Sequence, residues 1–149
     1  MYRADISVRS RPFSRVLMVA AFLAGTSCTS STGPSNVIPL DTEFELAPAH
    51  MAVVGTNGLR IRFISVPLDT RCPIGMLCIV AGEAQVQVEA EQREVGTMLK
   101  LNTNGLGRQA IFLSYSIQLV ALTPTPQLNQ PTPPSSYRAT LKVSMLGPD

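Results

Sequence analysis

Strict alternation of apolar and polar residues is the feature that most restricts the fold of this chain. Four runs show it, at residues 59–63, 84–91, 115–121 and 138–145, and in each of them every second residue is apolar. Successive side chains of a β-strand point to opposite faces, so each run predicts a strand with one face on a core and one in water. Ala121 and Met145 fall on the predicted inner faces, and Val120 is an apolar exception on an outer face.

Shorter segments at 43–46, 51–54, 95–101 and 109–113 add further candidate strands, and Asn57-Gly58 and Asn104-Gly105 have the composition of hairpin turns. No segment after residue 28 has a convincing helical period. About seven or eight short strands predict an all-β protein, an immunoglobulin-like antiparallel β-sandwich, with a small β-barrel as the alternative. The proline-rich segment, residues 123–136, contains five prolines and is expected to form an extended, polyproline-II-like loop between the last two strands.

The N-terminal part of the chain has the layout of a secretory signal. Four arginines between residues 3 and 15 precede an apolar run at 16–24, and small residues follow before Cys28. The apolar run is about half the length that a membrane-spanning helix needs. We predict a signal peptide at residues 1–27, a flexible tether rich in Ser, Thr and Pro at 28–40, and one domain at 41–149.

Cys28 is a candidate lipidation site. A cysteine that directly follows small residues at the end of the apolar run resembles the lipobox of bacterial lipoproteins, in which the thiol is acylated and becomes the new N-terminus. Gly25 stands where that pattern usually has Leu. The expected location is the bacterial cell envelope, with the protein held on a membrane by the lipid on Cys28, on the periplasmic or outer-membrane face. The alternative is ordinary cleavage and secretion.

The count of cysteines agrees with this interpretation. Three cysteines leave an odd one in an exported protein, and acylation of Cys28 would leave Cys72 and Cys78 as a pair. A zinc site at this pair would need two more ligands, and His50 is the only other candidate nitrogen. A disulfide between Cys72 and Cys78 is therefore the favoured expectation.

Charge and motifs point away from nucleic acid, nucleotide and catalysis. From Cys28 onward the chain has eight basic and nine acidic residues, and it contains no Trp, so we expect no nucleic-acid partner. Gly105, Gly107 and Ala110 fit a dinucleotide-binding pattern only formally, because a predicted strand follows them. The sequence has a single histidine, His50, and no Gly-x-Ser-x-Gly motif that would supply a nucleophile for it to activate. Glu89 and Glu91 lie on the polar face of a predicted strand. No catalytic residue, metal site or cofactor is predicted.

The segment from Asp69 to Ala84 resembles a motif of uncharacterised bacterial secreted proteins and lipoproteins: Asp-Ser-Arg-Cys-Pro, four residues, then Cys-x-Trp-Ala-Gly-x-Ala. Thr70 here replaces the Ser, and Val80 replaces the common Trp. The resemblance extends more weakly over 44–145 through flanking residues that match: Phe44, Leu46, Ile61, Phe63, Tyr137, Leu141 and Val143. It implies export and a similar fold, and it implies no activity.

The loop closed by the two cysteines is the candidate binding site. Asp69 and Arg71 could pair or bond to the loop backbone, and together with the disulfide they could simply brace the connection between two strands. Alternatively, a rigid loop could present Ile74, Met76 and Leu77 to a partner. The expected function is therefore a non-enzymatic binding or structural module with an unknown envelope protein as partner. The alternative is an inhibitor of an exported protease that uses the 72–78 loop.

Overall fold

The computed structural model describes residues 37–147. The predicted signal peptide, Cys28 and the greater part of the predicted tether lie outside these residues. Ile38 already forms a parallel bridge with Val54, and the side chain of Leu40 packs against the core, so the last residues of the predicted tether belong to the sandwich. Within the described residues, no helix is long and apolar enough to span a membrane.

Within residues 37–147, eight antiparallel strands form two four-stranded sheets that do not close into a barrel, which confirms the predicted β-sandwich. One sheet has the strand order β1-β8-β7-β6 and the other has the order β2-β3-β4-β5. The strands are β1 (Glu43–Leu46), β2 (Met51–Val54), β3 (Leu59–Asp69), β4 (Ala84–Gln92), β5 (Val95–Asn102), β6 (Gln109–Phe112), β7 (Tyr115–Thr123) and β8 (Arg138–Met145).

Strands that pair are neighbours in the sequence, with the single exception of β1 and β8. Each sheet is therefore built mainly from hairpins, whereas immunoglobulin domains use Greek-key connections. The chain changes sheets between β1 and β2 and again between β5 and β6. The second change passes through the 3-10 turn Gly105–Arg108, so the predicted hairpin at Asn104-Gly105 is wrong: the segment leaves one sheet for the other.

The core lies between the two sheets and is made by the alternating residues. Leu59, Ile61 and Phe63 of β3 are fully buried, and no polar or charged residue is buried in the described part of the chain. Further core residues come from β4, β7 and β8: Ala84, Val86, Val88, Ala90, Ile117, Leu119, Ala139, Leu141 and Val143. The strands β1, β2, β5 and β6 add Phe44, Leu46, Ala52, Val54, Leu101 and Phe112.

Two residues predicted to face the core do not. A shift of register between Leu119 and Ala121 reverses the alternation in β7, so that Ala121 is exposed and Leu122 is buried. Such a bulge places an extra residue in one strand, which explains why Val120 broke the pattern. Met145 ends β8 beyond the edge of the core and is exposed.

The connections β3–β4, β5–β6 and β7–β8 lie at one end of the sandwich, whereas the β1–β2 connection bonds to Phe63 in the middle of β3. The chain enters at the opposite end, where Ile38 pairs with Val54 and the backbone N–H of Asp41 donates to the carbonyl of Val143 at 2.8 Å. Strand β3 has 11 residues and runs between the two ends, a length of about 33 Å at ~3.3 Å per residue.

Candidate functional site

The predicted disulfide is present. Cys72 and Cys78 are bonded, with their Cα atoms 6.0 Å apart. Between them, the backbone N–H of Met76 donates to the carbonyl of Pro73 at 3.2 Å, and Gly75 has a φ of +90°. A left-handed glycine in the third position is what a type II turn requires. We call residues 72–82 the disulfide loop.

An ion pair between Asp69 and Arg71 stabilises the chain directly before this loop. Nε of Arg71 donates to Oδ1 of Asp69 at 2.9 Å, and an Nη atom donates to Oδ2 at 2.6 Å, so the pair is bidentate. Arg71 also donates to the carbonyls of Leu122 at 2.6 Å and Pro124 at 2.8 Å. Both side chains of the pair are nearly buried, 13% and 10% exposed. The predicted pairing therefore exists, and it turns Asp69 and Arg71 inward, away from any partner.

Tyr137, which directly precedes β8, also belongs to this cluster. Its hydroxyl donates to Oδ2 of Asp69 at 3.0 Å. Burial alone would raise the pKa of Asp69, but the hydrogen bonds from Arg71 and Tyr137 outweigh it and hold the pKa below the ordinary 3.8. Burial, together with the neighbouring carboxylate, raises the pKa of Tyr137 above 10.0. Sequence reasoning assigned no role to Tyr137, because the contact joins residues 68 positions apart.

The two ends of the disulfide loop are held together at a neck. The hydroxyl of Thr70 donates to the carbonyl of Glu83 at 2.9 Å and accepts from the N–H of Glu83 at 3.1 Å. A Cβ atom at Gly82 would overlap the carbonyl of Thr70, so only glycine fits there. A serine at position 70 could make the same two hydrogen bonds, since only the hydroxyl takes part.

The proline-rich segment lies against the disulfide loop. The backbone N–H of Ile74 donates to the carbonyl of Pro126 at 2.9 Å, and Ile74 forms a parallel bridge with Gln127. The prolines predicted an extended segment, and the segment is extended only in part. A turn closes between Gln127 and Gln130, and a 3-10 turn forms at Pro134–Ser136. An open groove of about 240 Å³ lies within the segment.

Five large apolar side chains of the disulfide loop are exposed: Ile74, Met76, Leu77, Ile79 and Val80. We call these five residues the apolar tip. Leu77 and Ile79 are as exposed as in an extended peptide, at 102% and 104%. The sequence predicted Ile74, Met76 and Leu77 and missed Ile79 and Val80, which follow the second cysteine. The signal that could have found them is the composition of residues 72–82, which include no charged, hydroxyl or amide side chain.

The other sequence candidates lie apart from this end or are paired. Nδ1 of His50 is 3.1 Å from the carbonyl oxygen of Pro48, in an exposed turn. Glu91 pairs with Arg60 at 3.3 Å and Glu89 with Arg62 at 3.6 Å on the outer face of β3 and β4. Residues 37–147 contain no group of three His, Cys, Asp or Glu side chains placed to hold a metal ion.

Comparison of the chain with models of protein families, with curated proteins and with solved structures finds no match.

Proposed function

We propose that this chain is an exported, lipid-anchored protein of the bacterial cell envelope that acts as a non-enzymatic binding module, with the apolar tip as its binding surface. The observation that carries this proposal is that five large apolar side chains are exposed on one short loop closed by a disulfide. Exposed apolar residues scattered singly are common in soluble proteins, but contiguous ones mark interaction sites.

The brace beneath the loop supports a binding role. An unbraced apolar loop would fold back and cover its own side chains, and binding would then first have to reopen it. The disulfide, the Asp69–Arg71 pair and the neck at Thr70 all oppose that movement. A loop ordered before binding loses less conformational entropy when a partner arrives, which favours affinity.

Export and lipidation rest on the signal-like N-terminus, on Cys28 after small residues, and on the resemblance to bacterial secreted proteins and lipoproteins. The Cys72–Cys78 disulfide supports export, since such bonds persist mainly outside the reducing cytoplasm. The proposal of a non-enzymatic role draws on His50, the single histidine, which lies in an exposed turn away from the disulfide loop.

The intact mass of the membrane-extracted protein tests the export proposal. We expect a chain that begins at Cys28 with added acyl mass, and two further thiols that react only after reduction. An unacylated chain released from the cells would contradict lipid anchoring.

Photo-crosslinking in cells tests the binding proposal. A photoreactive phenylalanine analogue placed at Leu77 is expected to give adducts with a protein or with lipid, whereas the same group at Ile111, an exposed apolar residue of edge strand β6, gives none. Absence of adducts at Leu77, or the same adducts at both positions, would contradict the proposal. An exported peptidase crosslinked at Leu77 and inhibited by the protein would instead support the inhibitor alternative, which the closed turn at Pro73–Met76 does not favour.

A further inference from the structure

The composition of the whole loop end suggests what the apolar tip binds. Neither the disulfide loop nor the proline-rich segment contains an ionisable side chain other than the bonded cysteines. Two charged groups beside this end, Asp69 and Arg71, pair with each other and are nearly buried. Glu83 directly follows the disulfide loop, and Arg138, which is 41% exposed, donates to the carbonyl of Ser135, so the charges at the margin have opposite signs. The exposed surface here is therefore apolar at its tip, and the single charges at its margin form neither a basic nor an acidic patch.

The tip lacks what a protein interface ordinarily uses. A typical interface combines an apolar centre with about ten hydrogen bonds and a polar rim that faces the partner. No side chain of residues 72–82 can donate or accept a strong hydrogen bond. Moreover, the full exposure of Leu77 and Ile79 shows that they project from the molecule, so they form a convex point and no recess.

We propose that the apolar tip inserts into the interfacial region of an electrically neutral lipid bilayer; this inference rests on the proposed function of the tip as a binding surface. A bilayer accepts projecting apolar side chains without requiring matched hydrogen-bonding partners. Attraction to anionic lipids depends on clustered Lys and Arg, and this end presents none. Uncharged polar residues of the proline-rich segment, Gln127, Gln130 and Thr132, line the open groove, and Gln127 is bridged to Ile74 of the disulfide loop.

The backbone of the loop limits the depth of insertion. The N–H groups from Leu77 to Ala81 have no hydrogen-bond partner among the described residues. Unpaired backbone groups are costly in hydrocarbon, whereas headgroups and interfacial water can bond to them. The side chains therefore enter the acyl boundary while the backbone stays at headgroup level.

The absence of Trp from the natural chain permits a local test in the full-length protein. In the Leu77→Trp variant, vesicles of phosphatidylcholine are expected to shift the tryptophan emission to the blue, and lipids brominated near the headgroup are expected to quench it more than lipids brominated deep in the chain. The matched control is Ile111→Trp, which is equally a single exposed tryptophan and is expected to show neither effect.

A second substitution tests whether the tip itself carries the effect. Adding Ile79→Asp to Leu77→Trp is expected to abolish the shift, and since Ile79 packs against nothing, the unfolding midpoint should not change. Mixing phosphatidylglycerol into the vesicles or raising the salt concentration should leave the shift unaltered.

Three outcomes would overturn the inference: no shift with vesicles, a shift only with anionic vesicles, or a shift without vesicles that grows with protein concentration. The last would indicate that a second copy of the chain covers the tip. If vesicles fail while the photoreactive group at Leu77 captures a discrete protein, the lipid inference falls and the proposed binding function stands.

Discussion

The guanidinium group of Arg71 donates four hydrogen bonds, two to the carboxylate of Asp69 and two to backbone carbonyls at the end of β7. Arginine has five N–H donors in a planar fork, so one side chain can hold a carboxylate and two carbonyls at once. A lysine could make only part of this set. Arg71 thereby joins the disulfide loop to the proline-rich segment, and these two pieces of chain form the end of the molecule that we propose to bind.

Arg71→Lys is expected to lower the free energy of unfolding by about 1–3 kcal/mol, because the charge remains but the fork geometry is lost and a nearly buried carboxylate loses a partner. Arg60→Lys is the matched control: Arg60 pairs with Glu91 on the exposed face, 53% and 41% exposed, and should cost under about 0.5 kcal/mol. Urea unfolding of the two variants measures the difference. Equal losses would show that the buried geometry of Arg71 has no special value.

Asp69 makes stability depend on acid. Its pKa in the folded protein lies below 3.8, the ordinary value expected for the unfolded chain, so its contribution is complete above that value and is lost as the pH falls through the folded pKa. The difference in unfolding free energy between the natural chain and Asp69→Asn should therefore be constant at neutral pH and shrink below about pH 4. Urea unfolding over a pH series measures it, and a difference that stays constant into acid would contradict the assignment.

At the scale of the elements, the alternation predicted the strands well and the connections poorly. The strands Glu43–Leu46 and Met51–Val54 have the predicted bounds; the first alternates, and the second is a short apolar run that ends before Gly55. The bulge in β7 depends on how that strand pairs with β8, which lies farther along the chain. The turn between β4 and β5 uses Arg93 and Glu94 at positive φ, where a sequence pattern looks for glycine or asparagine.

The site was predicted in part for the same reason. The disulfide and the exposure of Ile74, Met76 and Leu77 follow from residues close together in the sequence. Tyr137 and the carbonyls of Leu122 and Pro124 reach the loop only through the pairing of β7 with β8 and the packing of the two sheets. Local sequence cannot supply those contacts.

Removal of the disulfide by Cys72→Ala with Cys78→Ala is expected to lower the free energy of unfolding by about 2 kcal/mol, the value for closing so short a loop. The neck at Thr70 and Glu83 lies outside the disulfide, so β3 and β4 should stay paired. Hydrogen exchange should therefore speed up at the N–H groups of Ile74 and Met76, which are bonded in the natural chain, and stay unchanged in the two strands. Faster exchange throughout β3 and β4 would show that the bond holds the sheet and not only the loop.

At the scale of the molecule, both sheets contribute to one continuous core, and the apolar tip contributes nothing to it. The residues that stabilise the fold and those of the proposed binding surface are therefore different sets. The tip can change in composition without affecting the fold, provided that the brace beneath it is kept.

Phe63→Ala is expected to lower the free energy of unfolding by about 3–5 kcal/mol, because Phe63 is the largest fully buried side chain and its loss leaves a cavity between the sheets. Val95→Ala, on exposed edge strand β5, should change it by less than about 0.5 kcal/mol. Thermal and urea unfolding measure both. A small effect of Phe63→Ala would mean that the sheets adjust freely to fill the space.

The chain enters the sandwich at the end opposite the apolar tip, and this arrangement sets the tip's reach. The stretch from Cys28 to Val37 has a contour length of at most about 32 Å, close to the length of the sandwich itself. If Cys28 carries a lipid, the apolar tip could contact the bilayer that holds this lipid only if residues 28–37 ran fully extended along the side of the domain. Deleting residues 30–34 should put that bilayer out of range, so that the Leu77→Trp emission of membrane-anchored protein loses its blue shift, while the same deletion leaves contact with an opposing bilayer intact. The number of residues between Cys28 and the first strand would then determine which of two facing bilayers the apolar tip can contact.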